Sequence, residues 1–311
     1  MHSLGSRLVP VVPFIFVLLW STGFIGAKYA LPYIEPFYLL FIRMVLTIGV
    51  FLLLCLWFRV TWPDRRQSLH QMVTGVLVHG CYLGGVFAAI KWDMPAGVTA
   101  IVVGLQPLLT ALLGWQWLGE RLRPVQWAGL LLGLLGVGMV LGSGIEQGEF
   151  NLSWPPLLAV IGALLAISVG TLYQKRYGGG VNLLAGSFWQ YVSTAVLMAI
   201  LAWSFETRDV VWDTQLIWAL VWLVFGLSVT AILLLMYMIR EGEAARVASY
   251  FYLVPPMATL EAWLLFDEQL SAIALVGVLI AVSGVYLVLK KPRLSLSSSN
   301  ANQRSKDAGA T

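Results

Sequence analysis

Apolar runs of about 20 residues, separated by short polar stretches, dominate the sequence. An α-helix rises 1.5 Å per residue, so a run of that length can cross about 30 Å of hydrocarbon. Hydrophobic residues make up 59% of the chain and charged residues 11%, whereas an ordinary soluble domain is about a quarter charged. The sequence therefore predicts an all-α polytopic membrane protein whose surroundings are the lipid bilayer.

Dividing the apolar runs at charged and Pro/Gly-rich stretches predicts ten transmembrane helices. They are 11–30, 37–58, 71–91, 96–118, 124–142, 154–174, 183–204, 215–239, 246–266 and 272–290. An even number places both termini on one side of the membrane. Short cytoplasmic loops are enriched in Lys and Arg, and a cytoplasmic N-terminus puts most of the nineteen cationic residues in such loops. The polar tail, 292–311, is expected to be disordered and cytoplasmic.

The two halves of the chain share one residue pattern. A shift of 148 residues superimposes 96–141 on 244–289 without a gap. The coinciding residues include Pro107 with Pro255, Trp115 with Trp263, and Glu120 with Glu268. Five helices per copy is an odd number, so the second copy enters the membrane from the opposite side, as in alternating-access transporters. We therefore expect two inverted five-helix repeats, 1–145 and 152–291.

Three segments resemble the EamA-type ten-helix branch of the drug/metabolite transporter (DMT) superfamily. They are LLWSTGFIGAKYALP, EPFYLLFIR and GLQPLLTALLGWQWLGERL, the last of which the second half repeats as YLVPPMATLEAWLLFDEQL. The resemblance implies a bacterial inner-membrane secondary transporter for a small metabolite or drug-like solute, with amino-acid exporters among its relatives. It also implies a central cavity lined mainly by helices 1, 3, 4, 6, 8 and 9. The direction of transport and the solute stay open.

Prolines interrupt predicted helices 4 and 9 at matching depths. Pro107 lies about eleven residues into helix 4, and Pro255 and Pro256 lie about ten residues into helix 9. Proline removes a backbone donor and leaves the carbonyl one turn earlier without a partner. Interrupted helices at corresponding places in two repeats indicate a binding site between them. We expect these prolines to act as hinges, and a tolerated kink is the alternative.

Aromatic and polar side chains predicted near these breaks form the candidate substrate-binding site. Aromatic walls with a few hydrogen-bonding groups are typical of small-molecule pockets. The candidates are Trp20, Ser21, Tyr82, Gln106, Tyr250 and Tyr252. For any single aromatic residue, packing or a place in the interfacial belt is the alternative.

Three ionisable residues are predicted inside the membrane. A cation in contact with lipid is costly, so Arg43 is expected to face the interior of the bundle. Glu261 is predicted at a similar depth and would pair with it, while contact of Arg43 with a substrate carboxylate and snorkelling are the alternatives. Protonation of His79 could couple proton movement to transport, and a neutral, hydrogen-bonded histidine is the alternative.

Other classes of function have less support in the sequence. No HExxH or GxSxG motif is present, so neither a catalytic residue nor a metal site nor a cofactor is predicted. Cys55 and Cys81 lie in apolar runs without CxxC spacing. The cationic residues are scattered, which argues against a nucleic-acid partner. A passive channel is the main rival to a carrier, with an intramembrane enzyme behind it.

Predicted helices 5 and 10 are rich in glycine. Small residues at spacings of three and four let helices approach closely. These faces are expected to pack within the bundle, and a homodimer contact is the alternative.

Overall fold

The computed structural model describes residues 12–118, 123–146, 153–234, 254–267 and 271–289. Its α-helices are α1 (Val12–Ala30), α2 (Pro36–Trp57), α3 (Arg65–Gly75), α4 (Tyr82–Lys91), α5 (Ala96–Val103), α6 (Gln106–Leu118), α7 (Pro124–Glu146), α8 (Trp154–Tyr177), α9 (Leu183–Phe205), α10 (Thr214–Val221), α11 (Val254–Phe266) and α12 (Ala272–Leu289). Two π-helical segments, π1 (Val76–Cys81) and π2 (Trp222–Ala231), follow α3 and α10. Tyr250, Tyr252 and the tail, 292–311, lie outside the described residues.

Seven stretches of the described chain are long and apolar enough to cross a membrane. They are Val12–Ala30, Pro36–Trp57, Arg65–Lys91, Ala96–Gly114, Trp154–Tyr177, Leu183–Phe205 and Thr214–Leu234. Helices α7, α11 and α12 occupy the places of the three other predicted spans. Within the described ranges the fold is entirely helical apart from one isolated antiparallel bridge, between Ile34 and Val210. This is the architecture of a polytopic membrane protein.

The third span begins earlier than hydropathy predicts. Helix α3 starts at Arg65, six residues before the predicted start at residue 71. A capping box explains this start, because the Asp64 carboxylate accepts from the Gln67 backbone N–H at 2.7 Å. The Gln67 side chain in turn accepts from the Asp64 N–H at 3.2 Å. These bonds satisfy backbone donors at the helix start and stabilise a first turn whose composition is polar.

Helices that the sequence repeat makes equivalent pack against each other. Helix α2 contacts α9, α5 contacts α11, and α7 contacts α12. Helix α1 packs on α10, π2 and α11, while its equivalent α8 packs on α3, π1, α4, α5 and α6. The main contacts of one half therefore have counterparts made by the other half.

Glycines bring α7 and α12 into backbone contact. A methyl group on Gly277 would lie 2.7 Å from the Gly136 carbonyl oxygen, and one on Gly284 would lie 2.5 Å from the Gly129 oxygen. Side chains at these places would force the two helices apart. The glycine-rich faces thus pack on each other within the bundle.

Replacing Gly277 with Ala is expected to destabilise the protein by about 1–3 kcal/mol, because the added methyl group overlaps the backbone of α7. Gly138→Ala is the matched control, since a methyl group there meets no atom within 4 Å. Thermal unfolding in detergent checks the prediction through the difference between the two melting temperatures. Equal melting temperatures would contradict the close contact of these helices.

Candidate functional site

A cavity lies among α1, α2, π1, α4, α8, α9 and π2, so both halves of the chain line it. Together with its open mouth, it has about 590 Å³ of space that protein atoms do not fill. Much of its wall is apolar, with Trp20, Phe24, Val86, Phe87, Ile167 and Leu227. Its polar side chains are Arg43, His79, Tyr82, Tyr191 and Ser228. An apolar wall with a few converging polar groups is suited to binding a small molecule.

Arg43 is the charged side chain of this cavity. It is 4% exposed. Its Nε and Nη2 atoms donate to the Ser228 hydroxyl at 3.1 and 3.0 Å. No carboxylate of the described residues forms an ion pair with it, although a buried cation is costly unless it is compensated. Arg43 therefore provides a positive charge to the cavity that a neutral hydroxyl does not balance.

The predicted pairing of Arg43 with Glu261 is not found. Glu261 is buried and accepts instead from the Ser21 hydroxyl at 2.7 Å. Helix α2 faces π2, whereas α11 faces α1 and α5, so the two charged residues have different neighbours. Their predicted depths in the membrane are similar, but they are not paired because their helices pack against different partners.

His79 begins a chain of polar side chains that leaves the cavity. Its Nε2 atom lies 3.1 Å from the Gln190 amide oxygen, and the Gln190 amide nitrogen donates to the Gln71 oxygen at 2.7 Å. The imidazole also stacks on the Tyr191 ring, with centroids 4.7 Å apart. Because an amide oxygen accepts, Nε2 carries a proton in this arrangement. These contacts hold His79 as an ordered part of the cavity wall.

The two π-helical segments place His79 and Ser228 in the wall of the cavity. Each segment lies in the third predicted span of its half. A π turn bonds residue i to residue i+5, and such turns occur frequently at functional sites. Helix α9 supports π1, since the Thr194 hydroxyl lies 2.9 Å from the Gly75 carbonyl oxygen. A methyl group on Gly75 would lie 2.5 Å from the Gln190 Cα atom, so this approach requires glycine.

The fourth span is interrupted at residues 104 and 105. Helix α5 ends at Val103 and α6 begins at Gln106, so Pro107 is the second residue of α6. A proline in the first turn costs no helical hydrogen bond. Pro255 and Pro256 lie in α11, whose preceding residues are outside the described chain.

Two carboxylates join the halves at one end of the bundle, and we call Glu35 and Glu206 the carboxylate clasp. Glu206, just after α9, accepts from the backbone N–H groups of Phe37 and Tyr38 at the start of α2, both at 2.7 Å. Glu35 accepts from the Thr207 N–H at 2.7 Å. Burial raises the pKa of Glu206, and the two N–H bonds oppose that shift.

The bridge between Ile34 and Val210 lies beside the carboxylate clasp. The Val211 N–H donates to the Tyr33 carbonyl oxygen at 3.0 Å, which extends the contact between the same two loops. Both loops are at the end of the bundle that the charge pattern predicts to be outside the cell. The two halves are therefore fastened together on that side.

The model of the EamA-like transporter family matches residues 10–142 and again residues 154–290. The chain belongs to the EamA-like transporter family. Membership of this family and the apolar helices make the protein a multi-pass membrane transporter of small solutes.

Individual relatives of the transporter have similar lengths. YvbV, an uncharacterized transporter of Bacillus subtilis strain 168, is 27% identical over 286 residues, or 89% of this chain and 90% of its own. YedA, an uncharacterized inner membrane transporter of Escherichia coli K12, is 27% identical over 91% of both chains. A probable amino-acid metabolite efflux pump of E. coli K12 is 25% identical over 91% of this chain and 95% of its own. A solved crystal structure with 24% identity superposes with a TM-score of 0.65, covers 89% of this chain and 94% of its own, and supports the fold.

Two of the predicted substrate-binding residues of the transporter line the cavity, and two others form hydrogen bonds elsewhere. Trp20 and Tyr82 line the cavity. Ser21 bonds Glu261 instead, and the Gln106 amide donates to the Thr171 hydroxyl of α8 at 3.2 Å. Within the described chain, no three His, Cys, Asp or Glu side chains are grouped closely enough to hold a metal ion.

Sequence reasoning missed three polar residues of the transporter site. These are Gln190, Tyr191 and Ser228. Their signal was a polar residue in the middle of an apolar span, which is the same signal that singled out Gln106. Ser and Tyr are common in membrane helices, so that signal is weak for them.

Proposed function

We propose that the transporter carries a small solute with a carboxylate group, and that amino acids with apolar side chains are the best candidates. The observation that carries this proposal is Arg43, a buried cation on the cavity whose described hydrogen-bond acceptor is a neutral hydroxyl. A guanidinium presents parallel N–H donors that match a carboxylate. The solute would supply the negative charge that the described residues around Arg43 do not.

The rest of the cavity suits the other parts of such a solute. Trp20, Phe24 and Phe87 offer apolar surface for a side chain. Tyr82 and Tyr191 add aromatic rings with hydroxyl groups, and aromatic faces also attract ammonium ions. One relative named as a probable amino-acid metabolite efflux pump agrees with this class of solute.

Alternating access is the proposed mechanism. Ten spans would form two inverted repeats, 1–145 and 152–291, with both termini in the cytoplasm of a bacterium and the bundle in its inner membrane. Three observations support this: the repeat of 148 residues in the sequence, the family model that matches twice, and the contacts that recur between equivalent helices. Pro107 and, in the other repeat, Pro255 and Pro256 would serve as hinges.

The carboxylate clasp fits this mechanism as a closed outer gate. It fastens the loop before α2 to the loop after α9, which belong to different repeats. Opening the cavity to the outside would require Glu206 and Glu35 to release these backbone donors. The described conformation would then be one in which the outer side is shut.

Counterflow of radiolabelled L-leucine in proteoliposomes tests the proposed solute class. We expect saturable exchange that unlabelled L-leucine inhibits and leucinamide does not, because leucinamide has the same side chain and amino group but no carboxylate. Equal inhibition by the two compounds would contradict recognition through Arg43. Flux that does not saturate would favour a channel.

A further inference from the structure

Glu261 is a buried carboxyl group outside the cavity wall. It lies on α11 with 8% of its surface exposed, and its partner Ser21 on α1 is fully buried. The Ser21 hydroxyl is 2.7 Å from one oxygen of Glu261, Oε1, and 2.9 Å from the Leu18 carbonyl oxygen. The other oxygen, Oε2, is buried without a hydrogen-bond partner in the described chain. The carboxyl group thus has one hydrogen bond and one oxygen that none of the described residues satisfies.

The described groups that face Glu261 do not compensate a negative charge. On α1, the ionisable residues Lys28 and Tyr29 lie beside the Phe266 ring, with the Lys28 ammonium 4.3 Å and the Tyr29 ring 4.8 Å from its centroid. Phe266 is more than one helical turn beyond Glu261. Helix α5 carries no ionisable side chain, and Asp267, which follows α11, is exposed.

An ionised carboxylate in such surroundings is costly, because burial removes the water that stabilises its charge. A neutral carboxyl group loses much less on burial, so taking up a proton resolves the conflict. We propose that Glu261 is the proton-binding site of the transporter and that the Ser21 hydroxyl is the hydrogen-bond partner that positions it. This inference rests on the proposed function as a carrier, and it names the proton as the ion that moves with or against the solute.

Helix α1 links this site to the solute cavity. Trp20 and Gly23 line the cavity on either side of Ser21 in the sequence. Releasing the proton leaves a buried charge, which favours a conformation in which α1 and α11 separate and water reaches Glu261. That separation moves a helix of the cavity wall. Binding of a proton and access to the cavity are coupled in this way.

His79 is a weaker candidate for this role than the sequence indicated. Its Nε2 atom is already matched by the Gln190 oxygen, and its ring is stacked on Tyr191. A neutral imidazole satisfies these contacts, whereas no described cation balances the charge of an ionised Glu261.

Infrared spectroscopy of the purified transporter in lipid nanodiscs tests proton binding without any solute. Near neutral pH, we expect the carbonyl stretch of a protonated carboxyl group in the wild type, its loss in Glu261→Gln and its retention in Asp267→Asn. Asp267→Asn is the matched control because Asp267 is exposed at the end of the same helix. A band that is missing from the wild type, or that persists in Glu261→Gln, would overturn the proposal.

Ser21→Ala provides a second variant that does not change the carboxyl group. Removing the hydroxyl is expected to shift the frequency of the Glu261 band and leave it present, since the carboxyl group loses its hydrogen bond at Oε1 but keeps its proton. This variant also keeps the proposal testable if Glu261→Gln does not fold. An unshifted band in Ser21→Ala would show that the band arises elsewhere.

Accumulation of L-leucine under a pH gradient tests coupling. In proteoliposomes we expect the wild type and Asp267→Asn to accumulate leucine, and Glu261→Gln to fall to the level reached without a gradient. Accumulation in Glu261→Gln equal to that of the wild type would overturn the role of Glu261. A transporter that shows the infrared result but moves no leucine would refute the proposed solute class and leave the proton site standing.

Discussion

Replacing Arg43 with Gln is expected to lower the affinity for L-leucine by roughly 100-fold and so to abolish counterflow at low leucine concentration. A buried ion pair that loses one partner costs about 3 kcal/mol, and 1.4 kcal/mol is tenfold in affinity. Gln still has an amide that can reach Ser228, but it brings no charge to a carboxylate. The measurement is the half-saturating leucine concentration for counterflow.

Two comparisons separate this effect from damage to the fold. Arg43 bonds a neutral hydroxyl, so replacing it leaves no described carboxylate without its partner, and the melting temperature of Arg43→Gln is expected to stay near that of the wild type. Arg59→Gln is the matched control, because Arg59 is exposed just after α2. Counterflow by Arg43→Gln within twofold of the wild type would remove Arg43 from the binding site.

A disulfide between residues 34 and 210 is expected to stop transport completely until it is reduced. Residues facing each other in an antiparallel bridge have Cα atoms about 4.5–5.5 Å apart, a separation that a disulfide can span. The variant Ile34→Cys/Val210→Cys would lock together the loops that the carboxylate clasp joins. If transport requires the outer side to open, the oxidised protein cannot complete its cycle. Leucine counterflow before and after addition of dithiothreitol measures the effect.

The single variants Ile34→Cys and Val210→Cys are the controls, in a background where Cys55 and Cys81 are replaced by Ala. Both are expected to transport equally well under oxidising and reducing conditions, because neither can form the cross-link. Full transport by the oxidised double variant would show that this side of the bundle does not open. That result would contradict the gate and leave the solute site untouched.

Most of the spans could be predicted from the sequence, because the length of an apolar run is fixed by the thickness of the membrane. The start of α3 was missed, since Arg65 and the polar residues that follow it are not apolar. The signal was nevertheless present, as Asp64 followed three residues later by Gln67 can form a capping box. Hydropathy predicts the part of a helix that contacts lipid, whereas capping residues predict where the helix begins.

The site was less predictable than the spans. The cost of a cation in hydrocarbon was enough to place Arg43 inside the bundle, and the structure buries it. The partner of Arg43 depends on which helices meet and how each is rotated. The sequence predicts Glu261 as that partner, whereas the structure has Ser228. Depth alone predicts Gln106 in the cavity, but its side-chain amide donates to the Thr171 hydroxyl. Depth can be read from the sequence, while the direction of a side chain requires the packing.

The sequence does not predict the π-helical segments, the first of which follows the contact between Thr194 and Gly75. Their presence has a mechanical consequence. A helix with a π turn contains one residue more than its turns require, and that extra residue would migrate along the axis if hydrogen bonds exchanged one by one. Each step of the migration would rotate the residues it passes by about 100°, the angle between neighbours in an α-helix. A change in the hydrogen-bonding pattern of π1 or π2 would thus rotate His79 or Ser228 into or out of contact with a bound molecule. Neither span would have to tilt.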